Sequence, residues 1–124
     1  MLDFLAISLG AVIGANLRYW MSRYALRLCG PVFPYGTLTI NVLGSFLLGF
    51  FMVWTTERAL VDPRWRLLIA VGFCGGYTTF SSYAYETMAL LEQGQWALMG
   101  WNFLSNNVLA CLAAVAGMAL ARVL

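Results

Sequence analysis

A soluble domain is about a quarter charged. This chain of 124 residues is 62% hydrophobic and only 10% charged, which excludes a soluble globular protein and points to one integral membrane domain, 1–124. Its net charge is +2, all seven bases are arginine and histidine is absent, so neither a nucleic-acid partner nor a histidine-based metal or proton site is expected.

Four apolar segments are predicted to cross a bilayer, each near the roughly 20 residues that its core requires. The first runs over 3–26. It opens with Asp3 and carries no base before Arg18, unlike a cleavable signal, so it is expected to stay. Gly10 and Gly14 give it a small-residue face at the spacing that lets membrane helices pack closely. Gly30-Pro31 and Phe33-Pro34 end it.

The second segment, 36–56, carries Thr37, Thr39, Asn41 and Ser45, with Asn41 and Ser45 four apart on one helical face. Gly44 and Gly49 add another smooth surface, and Asp62-Pro63 breaks the chain again. The third segment, 66–91, interrupts itself with Gly-Gly-Tyr-Thr-Thr-Phe-Ser-Ser-Tyr (75–83). Gly72 and Gly76 repeat the small-residue spacing, and Glu86 follows. After Glu92-Gln93-Gly94-Gln95, the fourth segment, 95–122, carries Asn102, Ser105, Asn106 and Asn107. Cys29, Cys74 and Cys111 are too few and too scattered for a disulfide framework.

Polar groups in a membrane segment are costly unless paired, so they are the candidates for function. Adjacent glycines followed by Thr78, Thr79, Ser81 and Ser82 predict a helix broken at mid-membrane depth, with hydroxyls serving freed backbone groups and carbonyls open to a cation. A kinked helix with hydroxyls bonded back to its own carbonyls is the alternative. Phe80 and Tyr83 share a face, and their ring edges could line an anion path or simply pack. Glu86 suits a pore or proton role, or solvation at the interface. Amides, hydroxyls and ring edges together suit a small, strongly hydrated anion, held firmly but not trapped. Arg23 and Arg27, with Arg18 near them, stand against Arg58, Arg64, Arg66 and Arg122 on the other side. That weak bias permits insertion in both orientations. So short a chain encloses little interior, which favours a homo-oligomer.

These residues resemble the Fluc (CrcB) family of fluoride channels over essentially the whole chain. The resemblance rests on Gly-Ala-Xaa-Xaa-Gly-Ala (10–15) leading to Arg18, on Gly-Thr-Leu-Thr-Ile-Asn-Val-Leu-Gly (36–44), and on Gly-Phe-Cys-Gly-Gly-Tyr-Thr-Thr-Phe-Ser-Ser-Tyr (72–83) followed by Glu86. It implies an all-α membrane protein with four transmembrane helices, the third broken. It further implies an antiparallel dual-topology homodimer in the bacterial inner membrane, passing cytoplasmic fluoride outward through two antiparallel pores. Backbone carbonyls of Gly75 and Thr78 from both subunits would hold a structural sodium ion, and no organic cofactor is implied. Asn41 and Phe80 match the pore residues, with Tyr83, Thr79, Ser81, Ser82, Asn102 and Asn106 as further pore candidates. Arg18, Glu86, Thr37 and Thr39 are vestibule or accessory candidates. The chain departs from the family at Tyr83, where a second phenylalanine is usual. It departs again at Asn102 and Asn106, which fall where a hydroxyl track runs, and at Ala110, where a serine is often found.

The rival reading is a small multidrug-type proton-coupled exporter, which needs a mid-membrane carboxylate in the first helix, where only Asp3 is available. A non-transporting scaffold is a second rival. An enzyme is not expected, since no catalytic cluster is legible.

Overall fold

Apolar length sets the long elements. In the computed structural model, which describes residues 1–57 and 61–124, α1 (Leu2–Cys29), α2 (Tyr35–Glu57) and α6 (Trp96–Val123) are long and apolar enough to cross a membrane. Arg58 lies outside the described residues. Gly30 closes α1 at φ 77°, a conformation that costs glycine little, with its N–H on the Leu26 carbonyl at 3.0 Å. Among the described residues no β-strand occurs.

The third apolar segment is not one helix. It begins as a short α3 (Pro63–Arg66), with Pro63 at the helix start and the Asp62 side chain accepting from the Arg64 N–H at 2.8 Å. A π-helical stretch follows over Leu67–Cys74, then one turn, α4 (Gly75–Tyr77). Thr78 and Thr79 are extended, and α5 (Phe80–Glu92) completes the segment. The expected break is therefore present.

Small residues decide the packing. A Cβ on Gly10 would strike the Leu68 carbonyl and the Phe73 N–H, and one on Gly14 the Phe73 carbonyl. Gly72 and Gly76 press in return on Gly10 and Ala11 of α1. Both small-residue pairs thus join α1 to the broken segment within one chain. Gly49 and Gly117 bring α2 and α6 equally close, against the Ala114 and Phe46 carbonyls respectively.

At one end of the bundle, Asp3 meets Arg64 at 3.8 Å, Glu57 meets Arg122 at 4.0 Å, and Arg66 donates to Thr56 Oγ1 at 2.7 Å. At the other end, the α1–α2 connection and the last turn of α5 line a cleft of about 350 Å³ that reaches Thr37 and Glu86. The chain therefore runs up and down, with its first and third joins together.

Candidate functional site

The break is made by a side chain from another helix. In a continuous helix the Thr79 N–H would bond to the Gly75 carbonyl. Here it donates to Asn41 Oδ1 at 2.9 Å, and Asn41 Nδ2 donates to the Thr79 carbonyl at 3.0 Å. One amide of α2 thus pairs with both backbone groups of Thr79, as a neighbouring strand would. Thr78 ends the preceding turn by returning its N–H and its hydroxyl to the Cys74 carbonyl, each at 2.9 Å. Thr79 then caps α5, its Oγ1 accepting from the Ser82 N–H at 3.2 Å and donating to Ser82 Oγ at 3.0 Å. The Ser81 hydroxyl lies 3.5 Å from Thr79 Oγ1.

From Asn41 a chain of donors runs through the interior. Asn41 Nδ2 also donates to Asn106 Oδ1 at 3.0 Å, and Asn106 Nδ2 to Asn102 Oδ1 at 2.9 Å. Asn102 Nδ2 donates to Thr87 Oγ1 at 3.0 Å, and Thr87 Oγ1 to the Tyr83 carbonyl at 2.7 Å. Asn102, Asn106 and Thr87 are buried. Each amide is oriented by the next, and the polar groups satisfy one another between α2, α5 and α6.

Beside this chain, Phe80 and Tyr83 meet edge to face, with ring centroids 5.4 Å apart and planes at 63°. Tyr83 is buried, whereas Phe80 is 76% exposed. Together with Asn41, Thr79, Asn106 and Asn107 they line a cavity of about 250 Å³. A third polar contact lies one turn earlier on α2, where Thr37 Oγ1 donates to Glu86 Oε1 at 2.7 Å. Arg18 reaches the break itself, donating to the Thr78 carbonyl at 3.4 Å.

The candidates therefore divide. Asn41, Thr79, Phe80, Tyr83 and Asn106 share the cavity, with Ser81 and Ser82 on the adjoining first turn of α5. Asn102 lies deeper, fully enclosed, and Thr37 and Glu86 sit at the far cleft. Thr39 is exposed and joins neither group. Two members of the site carried no role in the sequence reading. Thr87 links α6 to α5, and Asn107 donates to Tyr83 Oη at 2.9 Å. Thr87 follows Tyr83 by one helical turn, a spacing that offered a signal; the Asn107 contact depends on how α5 and α6 are aligned.

The carbonyls suit a monovalent cation. Gly75 has lost its helical donor to Asn41, is exposed, and has open space where a Cβ would lie. Thr78 is extended, and among the described residues its carbonyl receives only the long contact from Arg18. Neutral oxygens freed from a helix are the donor type such an ion uses.

Fold and site define an all-helical, multi-pass membrane protein built around a helical segment held open by an amide. A family model described as CrcB-like protein, Camphor Resistance (CrcB), matches residues 5–118, and the chain belongs to that family. Several similar proteins bear the name fluoride-specific ion channel FluC. The one from Koribacter versatilis (strain Ellin345) is 59% identical over 115 residues, covering 93% of this chain and 90% of its own. That from Sulfurihydrogenibium sp. (strain YO3AOP1) is 47% identical over 121 residues, 98% of each chain. That from Roseiflexus sp. (strain RS-1) is 46% identical over 123 residues, 99% of each. The chain is accordingly a multi-pass protein of the bacterial inner membrane.

Proposed function

We propose that the chain is a fluoride-selective channel through which cytoplasmic fluoride leaves passively, as its relatives' names suggest. One observation carries the reading: the Asn41 amide, the Phe80–Tyr83 ring pair and the broken backbone converge on a single cavity. Fluoride entering it exchanges water for an N–H and for positive ring edges. Both Asn41 N–H groups already have internal acceptors, the Thr79 carbonyl and Asn106 Oδ1. The ion takes one of them from Asn106, and the amide recovers its partner as the ion leaves. This competition keeps binding weak enough for conduction.

The working unit in this proposal is a homodimer of oppositely inserted copies, each crossing the membrane four times, with two antiparallel pores along the shared face. The exposure of Phe80 supports it, because a ring edge serving an ion needs a facing wall that one chain leaves open. The Gly75 and Thr78 carbonyls of both copies would hold a structural sodium ion, which supplies positive charge at the break. The proton-coupled exporter is not favoured, because the sole acid of α1, Asp3, lies at its first turn and meets Arg64.

The test is efflux from liposomes containing the purified protein. Fluoride is expected to escape rapidly while chloride stays inside. Equal escape of both ions, or escape of neither, would falsify the proposal.

A further inference from the structure

We propose that the Tyr83 hydroxyl is an anion donor in this chain and that Asn107 is the residue that positions it; the inference rests on the fluoride reading above. The geometry begins with Asn107, whose Nδ2 lies 2.7 Å from the Phe103 carbonyl. A carbonyl only accepts, so the atom facing it is the nitrogen, and this fixes which way round the amide sits. The same nitrogen lies 2.9 Å from Tyr83 Oη. Tyr83 Oη therefore accepts, and its own proton is left to point elsewhere.

Among the described residues, no acceptor takes that proton. The ring itself has little freedom. It is 6% exposed, rests edge to face against Phe80, and belongs to a helix whose next turn is tied to α6 through Thr87 and Asn102. Tyr83, Asn107, Phe80, Asn41 and Asn106 line the same cavity of about 250 Å³. A phenol that accepts one hydrogen bond becomes a stronger donor through its remaining proton. The cavity thus presents an oriented O–H where a phenylalanine would present only a C–H edge. An O–H favours a small anion of concentrated charge over a larger, diffuse one. The pair therefore acts on affinity and on discrimination against chloride.

The experiment compares wild type, Y83F, N107A and the double variant as full chains in liposomes. Initial efflux is measured over a range of fluoride concentrations and again with chloride. Y83F is expected to raise the half-saturating fluoride concentration about tenfold, the factor supplied by one modest hydrogen bond to an ion, and to narrow fluoride over chloride selectivity. N107A is expected to shift both quantities in the same direction with Tyr83 present and to shift neither in the Y83F background. A Y83F protein matching wild type in half-saturation and selectivity overturns the proposal, whatever becomes of N107A. So does an N107A effect of equal size in both backgrounds, which would mark Asn107 as a packing residue. If wild type itself passes no fluoride, the channel reading fails first, and this inference fails with it.

Discussion

Replacing Asn41 by leucine, which has a similar volume but no polar atom, removes three hydrogen bonds at once: those to the Thr79 N–H, the Thr79 carbonyl and Asn106 Oδ1. Bonds between membrane helices average about 0.6 kcal/mol each, so the three together are worth about 2 kcal/mol. The loss also changes the backbone. Once released, the Thr79 N–H has a helical partner available in the Gly75 carbonyl, and the segment can close through Thr78 and Thr79. N41L should therefore lower the midpoint of thermal unfolding in detergent by on the order of 5–10 °C, abolish fluoride efflux, and remove any stabilisation by sodium. N41D separates these effects. It keeps an acceptor for the Thr79 N–H and loses the two donated bonds, so it should retain sodium-dependent stabilisation while losing efflux. An N41L protein that unfolds at the wild-type temperature and still passes fluoride would refute the clamp. So would an N41L protein that sodium stabilises as strongly as wild type.

Two further substitutions probe the frame around the break. G117V should cost about 1–3 kcal/mol by overpacking, because its Cβ would meet the Phe46 carbonyl and the Phe50 N–H that hold α6 against α2; loss of a monodisperse peak on size exclusion is the readout, and a wild-type profile contradicts it. T37V keeps shape but removes the 2.7 Å bond to Glu86, whose other carboxyl oxygen is already buried without a partner. Denaturant unfolding should then show a loss on the order of 1–3 kcal/mol, and an unchanged midpoint would mean that the contact contributes nothing.

Apolar length made most of the architecture legible, because a bilayer fixes how long an apolar run must be. The segments read as 3–26, 36–56 and 95–122 correspond to helices Leu2–Cys29, Tyr35–Glu57 and Trp96–Val123. The third is broken within the expected stretch 75–83: Gly75 and Gly76, expected to weaken the helix, remain helical, and the backbone becomes extended at Thr78 and Thr79. A local window could not place it there, since the decisive acceptor, Asn41, lies 38 positions away in the chain. The same limit applies to the donors. Spacing put Asn102 and Asn106 on one face, yet did not reveal that their N–H groups are spent on Thr87 and Asn102. Arg18 was expected to need an interface, a vestibule or a carboxylate, and its contact is the Thr78 carbonyl.

The physical reason for this division bears on how such a site can change. In water a freed backbone group finds a partner anywhere, so a helix can break on local sequence alone. In lipid a break lasts only if named groups elsewhere in the protein take up its N–H and carbonyl. Asn41 does so here, and by taking the Thr79 N–H it also releases the Gly75 carbonyl. The amide that opens the segment is thus also one that lines the cavity beside Phe80. Opening the backbone and lining the cavity are two uses of a single side chain. It follows that residues around it, such as Tyr83 and Asn107, can vary to tune the cavity, whereas position 41 must keep an acceptor for the Thr79 N–H if the segment is to stay open.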